Sequence, residues 1–192
     1  ETWGQGDFPF LFVQVAPFGT IVSEPVESVW AELRQAQLLT SINCPKTAMV
    51  VITDYGDPAD IHPRQKEPVG ARLALAARAV VYGEKVVYRG PTYESMAIRG
   101  DCVVIRFANA DDGLEARDGE LTGWTIAGED RKFVNARATI QGDKVVVSSP
   151  LVRRPTAVRY GWSDCPVVNL FNKAGLPASP FRTDDFPWTT AK

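Results

Sequence analysis

The single histidine of this 192-residue chain, His62, lies in the stretch "DYGDPADIHPRQK" (residues 54–66) together with three aspartates. A histidine that acts as a base needs an acceptor on its second ring nitrogen, so that the correct tautomer faces the nucleophile. Asp60, Asp57 or a backbone carbonyl could provide that acceptor. Histidines titrate near neutral pH, so such a side chain can take a proton from a serine and return it to a leaving group. The spacing therefore fits an acid–base loop, with a structural histidine as the alternative.

The nucleophile that such a histidine would activate has no obvious candidate. No Gly-x-Ser-x-Gly turn occurs in the chain. Ser148 and Ser149 end a predicted strand, Ser179 lies in a proline-rich tail, and Cys44 precedes a predicted strand without any partner that would activate it. We therefore predict that the nucleophile lies outside this chain.

Composition narrows the class of protein. With 45% hydrophobic and 23% charged residues, the chain has an ordinary globular composition, and a net charge of −2 with scattered basic residues predicts no nucleic-acid partner. The longest apolar run, residues 8–18, is interrupted by Gln14 and two prolines, which argues against a membrane span. Three cysteines without a CxxC pair, plus one histidine, cannot form a closed zinc site, so we expect no metal and no cofactor.

The elements that must position His62 are predicted in the first half of the chain. A buried strand is indicated over residues 8–18, a helix over 24–41 with Ser23 and Glu27 at its start, a second buried strand over 47–54, and a helix over 67–83. This order is typical of a parallel α/β sheet. Ligands bind such sheets at the carboxyl ends of the strands, which is where the His62 loop would lie. Two strands do not make a stable sheet of this class, so residues 1–88 need partners from elsewhere.

The second half has a different pattern. From about Val86 onward, short segments alternate apolar with polar residues and are separated by turn formers. The sequences "RGD" (residues 99–101) and "QGDK" (residues 141–144) are typical of hairpin tips. We therefore predict an antiparallel β-sandwich over residues 89–192. A Gly-Asp turn between strands explains the RGD tripeptide without any partner.

Several blocks of the chain resemble consecutive blocks of the sialate O-acetylesterase family, which belongs to the SGNH (GDSL-like) serine esterases. The blocks are "GDFPFLFVQVAPF", "VWAELRQAQ", "ITDYGDPADIHPRQKEPVGARLALAARAVVYG", "GPTYESM" and "AVRYGWSDCPVVNLFNKAGLPASPFRTD". The resemblance covers nearly the whole chain. It implies a serine esterase that removes acetyl groups from sugars, especially the 9-O-acetyl group of sialic acid, and relatives act on acetylated xylan.

The resemblance also implies roles for individual residues. The family's catalytic histidine lies in its "IHP" block and corresponds to His62. Many SGNH enzymes place the acid three residues before the histidine, where this chain has alanine, so Asp60 is the first choice for the acid and Asp57 the second. Arg34 and Gln37 match the family pattern "LRxxQ" as candidate substrate ligands. Arg34 could steer an anionic sugar carboxylate, or could pair with a loop aspartate.

The family's nucleophilic serine and oxyanion-hole residues come from blocks upstream of everything in this chain. The resemblance thus implies the C-terminal portion of an enzyme whose serine lies on an N-terminal segment or a second chain. It also implies a secreted, periplasmic or lysosome-like compartment. Trp162 offers a stacking face for a sugar, or packs the edge of the sandwich. The rival interpretation is a non-catalytic carbohydrate-binding or structural module whose working part is the β-sandwich.

Overall fold

A computed structural model describes residues 4–191 of the chain. Within these residues, the structure is mixed α/β, and most of its strands are antiparallel. Along the chain the elements are β1 (Phe10–Val13), α1 (Val29–Asn43), β2 (Thr47–Val50), α2 (Lys66–Val80), β3 (Thr92–Arg99), β4 (Cys102–Ala108), β5 (Leu114–Ala116), β6 (Trp124–Gly128), β7 (Val134–Asn135), β8 (Arg137–Gln141), β9 (Lys144–Ser148), β10 (Pro155–Tyr160), β11 (Leu170–Asn172) and β12 (Phe181–Arg182).

The predicted order strand, helix, strand, loop, helix is confirmed for the first half of the chain. Strands β1 and β2 pair in parallel, with Phe10 opposite Thr47. Helix α2 packs its buried Ala76 against β2 residues Ala48 and Val50. Helix α1 begins later than predicted because its N-cap is Ser28, whose hydroxyl accepts a hydrogen bond from the backbone of the first turn, and not Ser23.

The prediction of a fully buried first strand was wrong. Phe10 is 58% exposed, and the remaining residues of β1 are half-buried. A continuous apolar run is typical of a strand whose two faces are both covered. Here Leu11 and Val13 pack on one face with Ala76 of α2, whereas Phe10 lies on the opposite face, which is more open to solvent.

Two four-stranded antiparallel sheets make up most of the second half. One has the order β3-β4-β9-β8 and the other the order β12-β10-β6-β7. The predicted hairpin tips are confirmed, since β3 and β4 join at Gly100 and Asp101, and β8 and β9 join at Gly142 and Asp143. Most buried apolar residues of the two sheets belong to one hydrophobic cluster, which includes Val103, Ile105, Trp124, Ile126, Val145, Val147, Val158, Tyr160 and Phe181.

Charged side chains fasten the two halves of the chain to each other. Arg159 on β10 donates to both carboxylate oxygens of Asp184, at 2.8 and 3.1 Å, and to the carboxylate of Glu27 at 2.8 Å. Glu32 on α1 is buried, and its carboxylate accepts hydrogen bonds from the backbone and hydroxyl groups of Thr189 and Thr190. The helical half is therefore held against the C-terminal strands. Among the described residues, no helix has the length and apolar character of a transmembrane segment.

Candidate active site

His62 lies in the loop that joins β2 to α2, at the carboxyl end of a parallel strand. Its Nδ1 is 3.2 Å from Asp60 Oδ1, and its backbone N–H donates to the same oxygen at 2.9 Å. The imidazole is 83% exposed. When the proton sits on Nδ1, Asp60 accepts it as a hydrogen bond and Nε2 is left as a free base facing outward. The structure therefore joins the predicted histidine with the first-choice acid.

The Asp60 carboxylate is favoured in its charged form. The hydrogen bond from the His62 backbone N–H is the main cause that lowers the pKa of Asp60 below its usual value, and the imidazole of His62 adds to the same effect. A carboxylate that remains ionised keeps its acceptor role for the imidazole over a wider pH range.

The second-choice acid has a different task. Asp57 accepts a hydrogen bond from the backbone N–H of Ala59 at 2.9 Å, and its own carbonyl accepts from the N–H of Asp60 at 3.2 Å. These contacts close a tight turn of the type that aspartate favours. Asp57 therefore shapes the loop just ahead of His62, and no hydrogen bond joins its carboxylate to the imidazole among the described residues.

Arg34 does not reach the surface where a substrate would bind. It is fully buried, on the same face of α1 as Ala31 and Leu38. Its guanidinium makes four hydrogen bonds to backbone carbonyls: Val15 at 3.1 Å, Ala16 at 3.0 Å, Ser163 at 2.7 Å and Asp164 at 2.7 Å. Burial lowers the pKa of Arg34 to about 10. Neither the steering of a sugar nor a pair with a loop carboxylate fits this position, which favours a structural role.

The side chains of Gln37 and Trp162 also contact other residues of the chain. The side-chain oxygen of Gln37 accepts a hydrogen bond from the backbone N–H of Val15 at 2.9 Å, which ties α1 to the end of β1. Trp162 is only 7% exposed, and the guanidinium carbons of Arg159 and Arg182 lie 4.8 and 5.7 Å from its ring centroid. The packing alternative for Trp162 therefore has the stronger support.

Cys44 and Ser179, two of the candidate nucleophiles, do not join His62 in the hydrogen-bond network. Cys44 follows α1 at the amino end of β2, whereas His62 follows the carboxyl end of that strand. Ser179 is 2% exposed and bonds to Gln14 and to the carbonyl of Pro180. No described serine or cysteine side chain is hydrogen-bonded to His62.

Sequence reasoning missed Arg72. Its guanidinium forms a bidentate ion pair with Asp54, at 2.7 and 2.6 Å, in the loop that follows β2, and both side chains are largely buried. Within the helix "EPVGARLALAARAVVYG", Arg72 has the pattern of a solvent-facing residue. The one sequence signal for this pair is that Asp54, 18 positions before Arg72, belongs to the same loop as His62.

Comparisons with known proteins find similarity to several esterases. No family model matches it. It is 37% identical to the sialate O-acetylesterase of Rattus norvegicus, over 91% of this chain and 35% of that protein, and 25% identical to the Homo sapiens sialate O-acetylesterase over 79% of this chain. The chain thus spans about a third of the length of these relatives.

A solved structure is similar over nearly the whole chain. A carbohydrate acetylesterase from Xanthomonas citri is 46% identical and superimposes with a TM-score of 0.87, covering 93% of this chain and 41% of the other. Sequence and fold therefore point to the same group of proteins.

Proposed function

The chain belongs to the sialate O-acetylesterase family and matches its C-terminal portion, and we propose that it supplies the acid–base histidine of a carbohydrate O-acetylesterase. The observation that carries this proposal is the contact between His62 Nδ1 and Asp60 Oδ1, on an exposed loop at the carboxyl end of β2. Asp60 orients the ring, and the free Nε2 is the working nitrogen.

The reaction proposed is an acyl transfer in two steps. A serine hydroxyl attacks the carbonyl carbon of the acetyl ester while His62 Nε2 removes the hydroxyl proton. The imidazolium that forms is stabilised by the Asp60 carboxylate, which stays unprotonated. His62 then returns the proton to the sugar oxygen as the ester bond breaks. In the second step, His62 takes a proton from water, the resulting hydroxide attacks the acetyl-serine, and acetate leaves as the serine recovers its proton.

The serine is assigned to an upstream segment or a second chain that continues an SGNH-type parallel sheet. Two observations support this assignment. The imidazole of His62 is open to an approaching group, being 83% exposed. In addition, apolar side chains concentrate on the surface of the helical half, where Phe10, Val29 and Leu33 are 58%, 54% and 45% exposed. Exposed apolar side chains of this kind are typical of contact surfaces, and among the described residues β1 has β2 as its single strand neighbour.

The remaining assignments follow from the family. Residues 1–88 form part of the catalytic α/β domain, and residues 89–192 form a β-sandwich that braces it. The substrate is an acetylated sugar, with an O-acetylated sialic acid as the first choice and acetylated xylan as the alternative. The proposed setting is a secreted, periplasmic or lysosomal one.

The test compares carboxylates of the same loop in the complete protein. Hydrolysis of an activated acetyl ester and of an O-acetylated sialoside is measured for His62→Ala, Asp60→Asn and Asp57→Asn. We expect a loss of about 10⁴-fold in kcat for His62→Ala. Asp60→Asn is expected to lose up to about 10⁴-fold, because the amide cannot stabilise the imidazolium.

Asp57→Asn is the matched control, since an asparagine still accepts the Ala59 hydrogen bond that closes the turn. We expect its kcat to stay within about threefold of wild type, which is the scale of a surface substitution. Unchanged hydrolysis by His62→Ala would contradict the enzyme proposal and favour the binding module. A greater loss for Asp57→Asn than for Asp60→Asn would reverse the assignment of the acid.

A further inference from the structure

We propose that Arg72 is a positioning residue for His62, acting through the base of the loop that carries the imidazole. This inference rests on the proposed role of His62 in catalysis. Arg72 lies on α2, and it contacts neither His62 nor Asp60 in the hydrogen-bond network. Its contribution is therefore to the placement of the base.

Arg72 holds three successive points at the start of the loop. Its Nη1 donates to the carbonyl of Val51 at 2.7 Å and to Asp54 Oδ1 at 2.7 Å, while Nη2 donates to Asp54 Oδ2 at 2.6 Å. The ring of Tyr55 lies 4.9 Å below the guanidinium carbon. A lysine could not reproduce this arrangement, because an ammonium group lacks the planar fork that grips a carboxylate and a carbonyl at once.

A series of contacts links the start of the loop to His62. Gly56 packs against Pro17, so closely that a β-carbon would lie 2.3 Å from the proline ring. The next residues form the Asp57 turn, and Asp60 then binds both the backbone and the imidazole of His62. The contacts from Asp57 to His62 join residues only two or three positions apart, so the direction of His62 depends on how the start of the loop is placed, by Arg72 and by the packing of Gly56 on Pro17.

Burial makes the Arg72–Asp54 pair more than an ordinary surface ion pair. The side chains are 8% and 16% exposed, so removing either partner leaves a charge with little access to water. Arg78 on the same helix provides a comparison, because it pairs with Glu84 at 2.7 Å while both side chains are about half exposed. Exposed pairs of that kind contribute little.

The experiment measures steady-state hydrolysis of an activated acetyl ester by the complete protein, with rates expressed per mole of folded protein. For Arg72→Lys we expect kcat to fall about 10-fold or more, because small displacements of a catalytic base are costly. KM and the acid limb of the pH profile of kcat/KM should not change, since Asp60 still holds the imidazole. Arg78→Lys is the matched control and is expected to keep the wild-type kcat.

A second variant keeps the test decisive if Arg72→Lys fails to fold. Asp54→Asn retains the size of the carboxylate and the Arg72–Val51 hydrogen bond, and we expect it to lower kcat in the same way. The double variant should lose no more than the stronger single variant, because both changes break one contact. Wild-type kcat in both single variants, together with an inactive His62→Ala, would overturn the positioning role alone. An active His62→Ala would overturn the proposed function itself, and the positioning role with it.

Discussion

Replacing Arg34 separates a structural role from a substrate-binding role. In Arg34→Met the aliphatic volume is kept, and the four hydrogen bonds to the carbonyls of residues 15, 16, 163 and 164 are lost. A net intramolecular hydrogen bond contributes about 1 kcal/mol, so the free energy of unfolding should fall by about 4 kcal/mol.

The assay is urea unfolding of the complete protein, followed by tryptophan fluorescence. With an m-value of about 2 kcal/mol/M, a loss of about 4 kcal/mol moves the midpoint down by about 2 M. Arg153→Met is the matched control, because Arg153 is exposed and we expect its loss to change the midpoint by less than about 0.3 M. Folded Arg34→Met should keep its KM for an O-acetylated sialoside. An unchanged midpoint combined with a raised KM would refute this reasoning and restore Arg34 as a substrate ligand.

Three further changes test other parts of the structure. The pKa of the Glu32 carboxylate is lowered because the hydrogen bonds from Thr189 and Thr190 outweigh the desolvation caused by burial. The carboxylate therefore stabilises the fold at pH values above its unfolded pKa, and this stabilisation is lost as the pH falls through its folded pKa. In urea titrations, Glu32→Gln should lower the free energy of unfolding by about 2 kcal/mol at pH 7, and by less in acid. Gly56→Ala should lower both kcat and the urea midpoint of unfolding, because the added β-carbon would overlap Pro17. Gly70→Ala is the control: Gly70 lies in α2 and its β-carbon would meet nothing within 4 Å, so this change should raise the midpoint. The pKa of Asp60 is lowered mainly by the His62 backbone N–H that it binds, so a pH profile of kcat/KM should show no loss from protonation of Asp60 until the pH falls below the range of a free aspartate.

Local patterns in the sequence predicted the elements well. Strand β9 alternates buried and half-buried residues as its apolar pattern indicates, and both Gly-Asp hairpin tips lie where the turn residues predicted them. The helix predicted over residues 67–83 is α2, Lys66–Val80. These features depend on neighbours in sequence, so periodicity and turn chemistry are sufficient to find them. The pair of His62 with Asp60 belongs to the same class, since the two residues are two positions apart.

Long-range contacts explain what the sequence could not supply. Arg34 looks like a surface arginine of an amphipathic helix, but its partners include the carbonyls of Ser163 and Asp164, about 130 positions away. The sequence suggests that Trp162 offers a stacking face for a sugar, but in the structure Arg159 and Arg182 lie beside its ring. Periodicity gives the direction of a side chain relative to its own element, and it says nothing about what the opposite element presents.

These long-range contacts also connect the C-terminal strands to the acid–base loop. Asp164 follows β10, and its carbonyl accepts hydrogen bonds from Arg34 at 2.7 Å and from the backbone N–H of Phe18 at 3.3 Å. Gly19, the residue after Phe18, donates its N–H to the carbonyl of Pro58, which lies four positions before His62. The loop is thus held from two directions: Arg72 fixes its start against α2, and the segment after β1, itself bound to the C-terminal half, fixes its middle. Because the imidazole is 83% exposed and the hydrogen bonds of His62 run to Asp60 in the same loop, its direction follows from these two attachments, and the C-terminal strands contribute to one of them.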